Sequence, residues 1–526
     1  MGCPGTRASH ASFRYVGCRR RIVDTILSID VGTTGIKVGL VDTSGTVIAS
    51  AGCEYQIVAS QPGFAEQDPA VWWQGFLDCC GKLRQSHRRE FEQIAGVGIC
   101  GQMHTQVYLD QHNQIVRPAI TWMDQRSIDV VNEINRDPEK KQLVFRETQN
   151  VATTTYTAPQ LQWVRENQPE IWPRVSHVLI AKDFMKYRLT NIMVTDYSDA
   201  SGTLLFNSIE KKWSETMFEL FEIPHHLFPE VMHSDEIIGT VSREASRLTG
   251  IKAGTPVANG SADCSTAALG AGMIDSGQVT LIIGTAGVVA VCSDQPLPDS
   301  RDRTLCWHYC LRDKWVILGI TQTAGESLNW FKNAFDQTAD SGQGSDDIFE
   351  QYNTAIQEVP DGADGLIFLP YLNGERTPYW DPAARGVYFG INLGTSKAHL
   401  IKAIMEGVSF ALRHCVETVE SLGIGIDQIM AVGGGLKSSN WLNTLGRIMR
   451  KPIRTVSLPD TGLVGNMLIC AQALGLIGSI PEAVGRIVNY NQEIHYPEGD
   501  AVYEKQYSQF LALYDDLKER FQIASR

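Results

Sequence analysis

The chain has no uninterrupted apolar run of membrane-spanning length; the stretch Val279 to Cys292 is short and broken by glycine. It also lacks any Cys-x-x-Cys pair. Its 12 cysteines are scattered without the spacing of a disulfide framework, with Cys79 and Cys80 adjacent, and they read as reduced thiols of a cytoplasmic protein. Positive charge is in deficit: 46 Lys and Arg against 59 Asp and Glu leave a formal net charge of −13. That balance argues against nonspecific attraction to nucleic acid or an anionic membrane surface, which both require a positive field, and favours a small-molecule partner. Acidic residues are missing from the first 23 positions, where Arg7, Arg14, Arg19, Arg20 and Arg21 appear among Ser and Gly. Without apolar periodicity, residues 1–24 read as a disordered or spurious tail, the alternatives being a transit peptide or a myristoylation signal at Met1 to Thr6.

What remains is long and apolar enough, at 526 residues and 43% hydrophobic content, to fill two or three cores, so two large domains with a cleft between them are expected. Thr25 to Asp30 is a short apolar run that enters Val31-Gly32-Thr33-Thr34-Gly35 and resumes as Ile36 to Val41, a strand, glycine-rich hairpin and strand. Such a turn leaves backbone N–H groups and threonine hydroxyls to point at a phosphate, with Asp30 placed for a phosphate-bound metal ion. The pattern recurs half a chain later, where Val279 to Ile283 runs into Gly284-Thr285-Ala286-Gly287 and then Val288 to Val291. Two related hairpins opening two halves predict a duplicated α/β domain, 25–275 and 276–526, with the loops facing each other across the cleft. A third turn, Gly433-Gly434-Gly435, follows the apolar run Ile429 to Val432, and its bare backbone suits an adenosine. Asp263 ends the segment Pro256 to Ala262 and precedes the small residues Ser265 to Gly272, which would let a helix pack closely at the cleft wall with Asp263 projecting into the cleft. The plainer reading of Asp263 is a helix N-cap.

With these pieces in place the chain, from Thr25 to its end, resembles the FGGY carbohydrate kinases of the actin, Hsp70 and sugar-kinase superfamily, and within them the xylulose kinases. One family signature is complete: Gly386-Val387-Tyr388-Phe389-Gly390-Ile391, His399-Leu400 after seven residues, and Ala403-Ile404-Met405-Glu406. A second is matched at Thr157, Leu161, Trp163 and Val164 but departs at Thr155 and at Gln160, where the family carries lysine. Further matches are Glu66-Gln67-Asp68-Pro69 with Trp72-Trp73, Gly101-Gln102-Met103-His104, Trp122-x-Asp124-x-Arg126, Asp196-x-Ser198-x-Ala200 and Gly374-Glu375-Arg376-Thr377-Pro378.

The resemblance implies two ribonuclease H-like domains, a homodimer, and transfer of the ATP γ-phosphoryl group to a primary hydroxyl of a small sugar, D-xylulose first. Gluconate, another ketose, a tetrulose or a polyol are the alternative acceptors. It implies Asp263 as general base, Asp30 with Gly32, Thr33 and Thr34 beside the Mg²⁺-bound phosphates, and Met103, His104, Trp122, Arg126 and Cys264 on the sugar. Gly284, Thr285, Gly325, Gly434, Gly435 and Asn440 fall on its ATP positions. Cys264 stands where xylulose kinases carry asparagine, and a thiol is a poorer hydrogen-bond partner than an amide, so this departure bears on the choice of sugar.

Three features have competing readings. Cys306, His308 and Cys310 alternate and would share one strand face as metal ligands do, yet no fourth ligand is evident and the segment reads as a half-buried strand. Trp72 and Trp73 read as helix core and rim. Asp196, Ser198 and Ala200 read equally as structural or substrate-facing. A non-catalytic ATP switch of the same fold is the rival from another functional class, but a switch needs neither a sugar loop nor Asp263.

Overall fold

The computed structural model describes residues 24–336, 345–458, 460–494, 496 and 500–524. The expected tail thus lies, apart from Asp24, outside the described residues. Two seven-stranded sheets organise the chain. In the first, Thr25–Val31 pairs antiparallel with Gly35–Asp42, which pairs antiparallel with Val47–Glu54; on its other side Thr25–Val31 lies parallel to Ile94–Gly101, followed by Pro256–Ala258. The second repeats this plan. Gln278–Ile283 pairs antiparallel with Gly287–Ser293 and that strand with Trp315–Thr321, while Gln428–Val432 and Ile453–Val456 add in parallel on the opposite side. This is the duplicated ribonuclease H-like α/β architecture.

Side-chain alternation decides which face of each sheet meets what. In Thr25–Val31, Leu27, Ile29 and Val31 join Trp72 and Phe76 in an outer core, because successive residues point to opposite faces. The helix supplying those aromatics, Pro69–Ser86, starts from an Asp68 cap that accepts the Ala70 N–H, with proline at the first position, where its missing donor costs nothing. Trp72 and Trp73 are both buried, and Arg188 stacks on Trp73 with its guanidinium carbon 4.5 Å from the ring centroid. The outer face of the second sheet packs Leu281, Ile283 and Val289 against Val408, Leu412 and Val416 of the long helix Lys397–Glu420.

Between the sheets lie two helices, Asp263–Gly270 and Thr461–Ala473. The second is buried from Gly462 to Ala471 and carries no polar stripe, as expected of a helix without a solvent face. It approaches the first sheet where that sheet offers small residues. A Cβ on Gly98 would stand 2.5 Å from the Asn466 carbonyl oxygen, and Ser28 Oγ donates to the Leu463 carbonyl at 2.8 Å. The two helices cross equally closely: a Cβ on Gly270 would lie 1.8 Å from the Thr461 oxygen and one on Gly465 2.0 Å from that of Thr266. Ala268, Leu269 and Met467 then share a core with Ala290, Cys292, Leu318 and Met430 of the second sheet. A division at 275/276 falls just before Gln278–Ile283, although Thr461–Ala473, from the second half, packs on the first sheet.

Alanine ordinarily stabilises a helix by up to about 1 kcal/mol over glycine. Gly465→Ala is expected to do the reverse, lowering the melting temperature, because its Cβ meets backbone that cannot swing away. Gly485→Ala, in the helix Ile480–Ile487 with nothing within 4 Å of the added carbon, is the control and should leave stability equal or higher. Calorimetric melting of both variants checks this.

Candidate active site

The tips of the two hairpins are built alike. In the first, Gly32 N–H closes on the Gly35 carbonyl at 3.0 Å, leaving the N–H groups of Thr33 and Thr34 without a partner among the described residues. The turn is pinned from outside: Tyr55 hydroxyl donates to the Gly32 carbonyl at 2.6 Å, Gln67 Nε2 to that of Thr33 at 2.6 Å, and Trp122 Nε1 to Thr33 Oγ1 at 2.9 Å. In the second, Gly284 N–H closes on the Ala286 carbonyl at 3.1 Å, and the N–H groups of Thr285 and Ala286 are likewise unused. Paired free N–H groups at a tight turn make a concave anion seat.

Asp30 ends the inner face of the first sheet at the start of helix Thr461–Ala473, 3.2 Å from where a Gly462 Cβ would be. The cap of that helix, Asp460, accepts the Leu463 N–H at 2.9 Å and pairs with Lys37 at 2.7 Å. Asp263 occupies the first turn of the crossing helix and accepts the Cys264 N–H at 2.7 Å. Burial and then the Asp460 charge push Asp30 up to about 6. Burial, followed by Asp30 and Asp199, pushes Asp263 up to about 8. Crowded carboxylates out of bulk water hold their protons. Oδ1 of Asp30 is buried with no hydrogen-bond partner among the described residues, so a divalent cation would both occupy that oxygen and relieve the repulsion. Among the described residues no group of three or more His, Cys, Asp and Glu side chains is arranged to hold a metal by itself.

Beside Asp263 the loop between Ile94–Gly101 and Gln106–Leu109 brings Met103 and His104 to the cleft. The Cys264 thiol donates to the Met103 thioether at 3.6 Å. His104, at φ 64°, donates from Nδ1 to the Gly202 carbonyl at 2.6 Å, and burial lowers its pKa to about 4. It is therefore neutral, with Nε2 left as an acceptor. Its ring meets Tyr156 and Trp307 edge-on at 5.2 and 5.1 Å, and the Trp307 indole donates to the Tyr156 hydroxyl at 3.2 Å. Trp122 stands nearby, and the guanidinium carbon of Arg376, from the second domain, lies 5.3 Å from its ring centroid. Arg126 does not join this recess. Its side chain, 1% exposed, pairs with Glu66 at 2.7 Å and Asp124 at 2.8 Å and stacks on Phe64, and so braces the turn that carries Trp122.

The segment leading to Asp263 rests on a buried ion cluster. Lys182 Nζ lies 2.7, 2.8 and 2.6 Å from Asp183, Asp196 and Asp199. Burial lowers its pKa, yet the three carboxylates more than offset this and keep it protonated. Asp196 accepts from the Ser198 hydroxyl at 2.5 Å, and Ser198 Oγ in turn accepts the Ala262 N–H at 3.0 Å. Lys186 donates to Asn259, whose amide donates to the Thr195 and Met232 carbonyls at 3.0 Å each. Asp196 and Ser198 thus support the residue preceding Asp263, the structural one of their two readings.

In the second domain a cavity of about 420 Å³ is lined by Gly284, Thr285, Gly325, Gly434 and Gly435, together with Leu328, Asn353 and Trp441. Its volume lies in the range of small-molecule sites. The helix Gly325–Phe335 begins at its wall, and a Cβ on Gly325 would come within 2.6 Å of the Gly284 oxygen. Asn440 is behind the lining, its amide donating to the Asn353 carbonyl at 2.9 Å. Cys306 and His308 lie on a buried strand, Leu305–His308, with His308 on the Ser208 carbonyl and Asn150 paired to both backbone groups of Cys306. Sequence reasoning missed Tyr156, Trp307, Asp460 and the role of Arg376 in the recess; only the Gly-Glu-Arg-Thr-Pro match drew attention to the last.

Two hairpins with unused N–H groups and a buried pair of neighbouring carboxylates, Asp30 and Asp263, are features that suit a two-domain phosphotransferase. Residues 25–270 match the N-terminal domain of the FGGY family of carbohydrate kinases and residues 279–474 its C-terminal domain. The chain belongs to this family and is a sugar kinase. It is 30% identical to a xylulose kinase of Bacillus subtilis (strain 168) over 94% of this chain and 96% of that one, and 27% identical to a gluconokinase of the same organism over 94% and 95%. Among solved structures, a ligand-bound xylulose kinase from Lactobacillus acidophilus superposes with a TM-score of 0.87 at 25% identity, covering 95% of this chain and 99% of that one. Among the described residues no helix is long and apolar enough to cross a membrane.

Ser198→Ala removes the acceptor for the Ala262 N–H without touching the recess. It is expected to lower kcat about ten- to a hundredfold through misplacement of Asp263 while the KM for ATP stays within about twofold. Steady-state kinetics and a melting curve on one preparation check it.

Proposed function

We propose that the protein transfers the γ-phosphoryl group of ATP to a primary hydroxyl of D-xylulose, giving D-xylulose 5-phosphate. The observation that carries the reading is the buried carboxyl of Asp263, close to Asp30 of the first hairpin's strand and preceding Cys264, whose thiol meets Met103. In this mechanism the ionised form of Asp263 accepts the hydroxyl proton as the sugar oxygen attacks in line. The free N–H groups of Thr33, Thr34, Thr285 and Ala286 receive phosphoryl oxygens, and Gly32 shapes the first turn. Gly284, Thr285, Gly325, Gly434 and Gly435 hold the nucleotide, with Asn440 supporting the wall through Asn353. Met103, His104, Trp122 and Cys264 bind the sugar. Asp30 would hold Mg²⁺, which supplies charge neutralisation on the phosphates when bound. The chain's own contribution is alignment and fixed electrostatics, with water excluded as the domains close.

A second reading, an aldonate such as gluconate as acceptor, is favoured by Cys264 in place of an amide and by the gluconokinase relative. A coupled ADP-release assay across ketoses, aldonates and polyols decides. D-Xylulose is expected to have the highest specificity constant; a higher value for gluconate would install the second reading, and no turnover with any acceptor would remove both. On the same panel Cys264→Asn should change the ranking of acceptors by up to about 1–3 kcal/mol while leaving ATP affinity unchanged.

Asp263→Asn is expected to reduce turnover about 10²–10⁴-fold with ATP binding intact. It should also stabilise the fold. The folded carboxyl holds its proton up to about 8 against 3.8 unfolded, so wild-type stability falls as pH rises through that window. The variant lacks this slope, and its melting advantage should grow from pH 5 to pH 8. Near-normal turnover, or an advantage largest in acid, would count against the assignment.

A further inference from the structure

Arg376 is the one polar residue of the Gly-Glu-Arg-Thr-Pro match whose side chain has no assigned work. The turn that carries it is fastened to the second sheet. Glu375 accepts from Thr321 Oγ1 at 2.7 Å and from the Gln322 N–H at 2.9 Å, and Thr377 exchanges hydrogen bonds with the Ile320 backbone at 3.0 and 2.9 Å. From this rigid base the guanidinium reaches across to Trp122 of the first domain. It makes no hydrogen bond and no ion pair with any described residue, although the side chain is half-buried. Its charge bears on His104 and Tyr156, so it belongs to the aromatic recess. Withdrawing a cation from water without a partner is costly, and a stacking contact returns only part of that cost. The guanidinium has five donors and no acceptor, so the group that fits it is an oxygen that accepts only.

We propose that Arg376 is the second domain's contact with the acceptor, donating to the carbonyl oxygen of a ketose or the carboxylate of an aldonate. This deepens the sugar-kinase reading and rests on it. The acceptor is then gripped by both domains, by Met103, His104 and Trp122 from one side and by Arg376 from the other, and its binding draws the cleft closed. A polyol of the same length offers hydroxyls in place of that oxygen and gains less from Arg376, because charge-assisted bonds to carbonyl and carboxylate oxygens are stronger.

The test compares wild type, Arg376→Ala and Arg376→Lys, with Arg376→Gln, which keeps much of the stem, as the substitute if the alanine variant fails to melt cooperatively. Steady-state kinetics should show the KM of the best carbonyl or carboxylate acceptor raised about tenfold or more in Arg376→Ala, with the KM of ATP within about twofold, and little recovery in Arg376→Lys. Calorimetric binding of D-xylulose, gluconate and xylitol separates the sources: a loss confined to the ketose assigns the carbonyl, and one confined to the aldonate assigns the carboxylate. Equal losses for all three, or none, overturn the proposal, as does a fall in kcat with the acceptor KM unchanged, which would move Arg376 to the phosphoryl group. Wild-type enzyme that turns over no acceptor sinks the proposed function instead, a result distinguishable from failure of the Arg376 variants alone.

Discussion

Everything in the cleft depends on how closely the helices Asp263–Gly270 and Thr461–Ala473 cross. Gly270 and Gly465 remove the side chains that would hold the backbones apart, and Gly98 and Ser28 do the same for the approach of the second helix to the first sheet. Because both helices begin at the cleft, this contact sets the separation of Asp263 from Asp30 and Asp460. Packed interiors respond to changes as small as a methyl group, so a steric detail far from the solvent controls the spacing of the charged groups.

That spacing creates an electrostatic tension. Three carboxylates converge, with Lys37 paired to Asp460, and burial with mutual repulsion raises Asp30 and Asp263 well above ordinary carboxylates. Farther back, Lys182 and Lys186 sit among Asp183, Asp196 and Asp199 in a cluster whose positive members are fully enclosed. The rear group encloses its own cations, whereas Lys37 beside the front group is exposed, a division expected where one set must bind cations and phosphate and the other must hold it still.

The two halves are duplicated in sheet order but are not independent in space. Strand Leu305–His308 belongs to the second sheet, yet Asn150 pairs with both backbone groups of Cys306, and the His308 ring and N–H bond Ser208 and Ser201. Trp307 is thereby sewn to the first domain, where it backs His104 and Tyr156. Arg376 comes from a turn fixed on the second sheet. The recess accordingly takes a wall from the first domain and a charge from the second.

The sequence by itself determined the parts whose chemistry is local. Glycine and threonine after a short apolar run can do little but turn and expose N–H groups, so both hairpins were legible, and the small residues after Asp263 announced a tightly packed helix. The glycines of the nucleotide wall and the Gln-Met-His loop were readable for the same reason. Only the tertiary structure decided which side chains meet. Asp460 reaches Lys37 and the neighbourhood of Asp30 from the far end of the chain, Trp307 reaches His104 across the domain boundary, and Arg126 turns into an ion cluster although its neighbour Trp122 faces the cleft. No local pattern encodes these outcomes, because each depends on strand faces, helix crossings and the burial of a charge against partners distant in the chain.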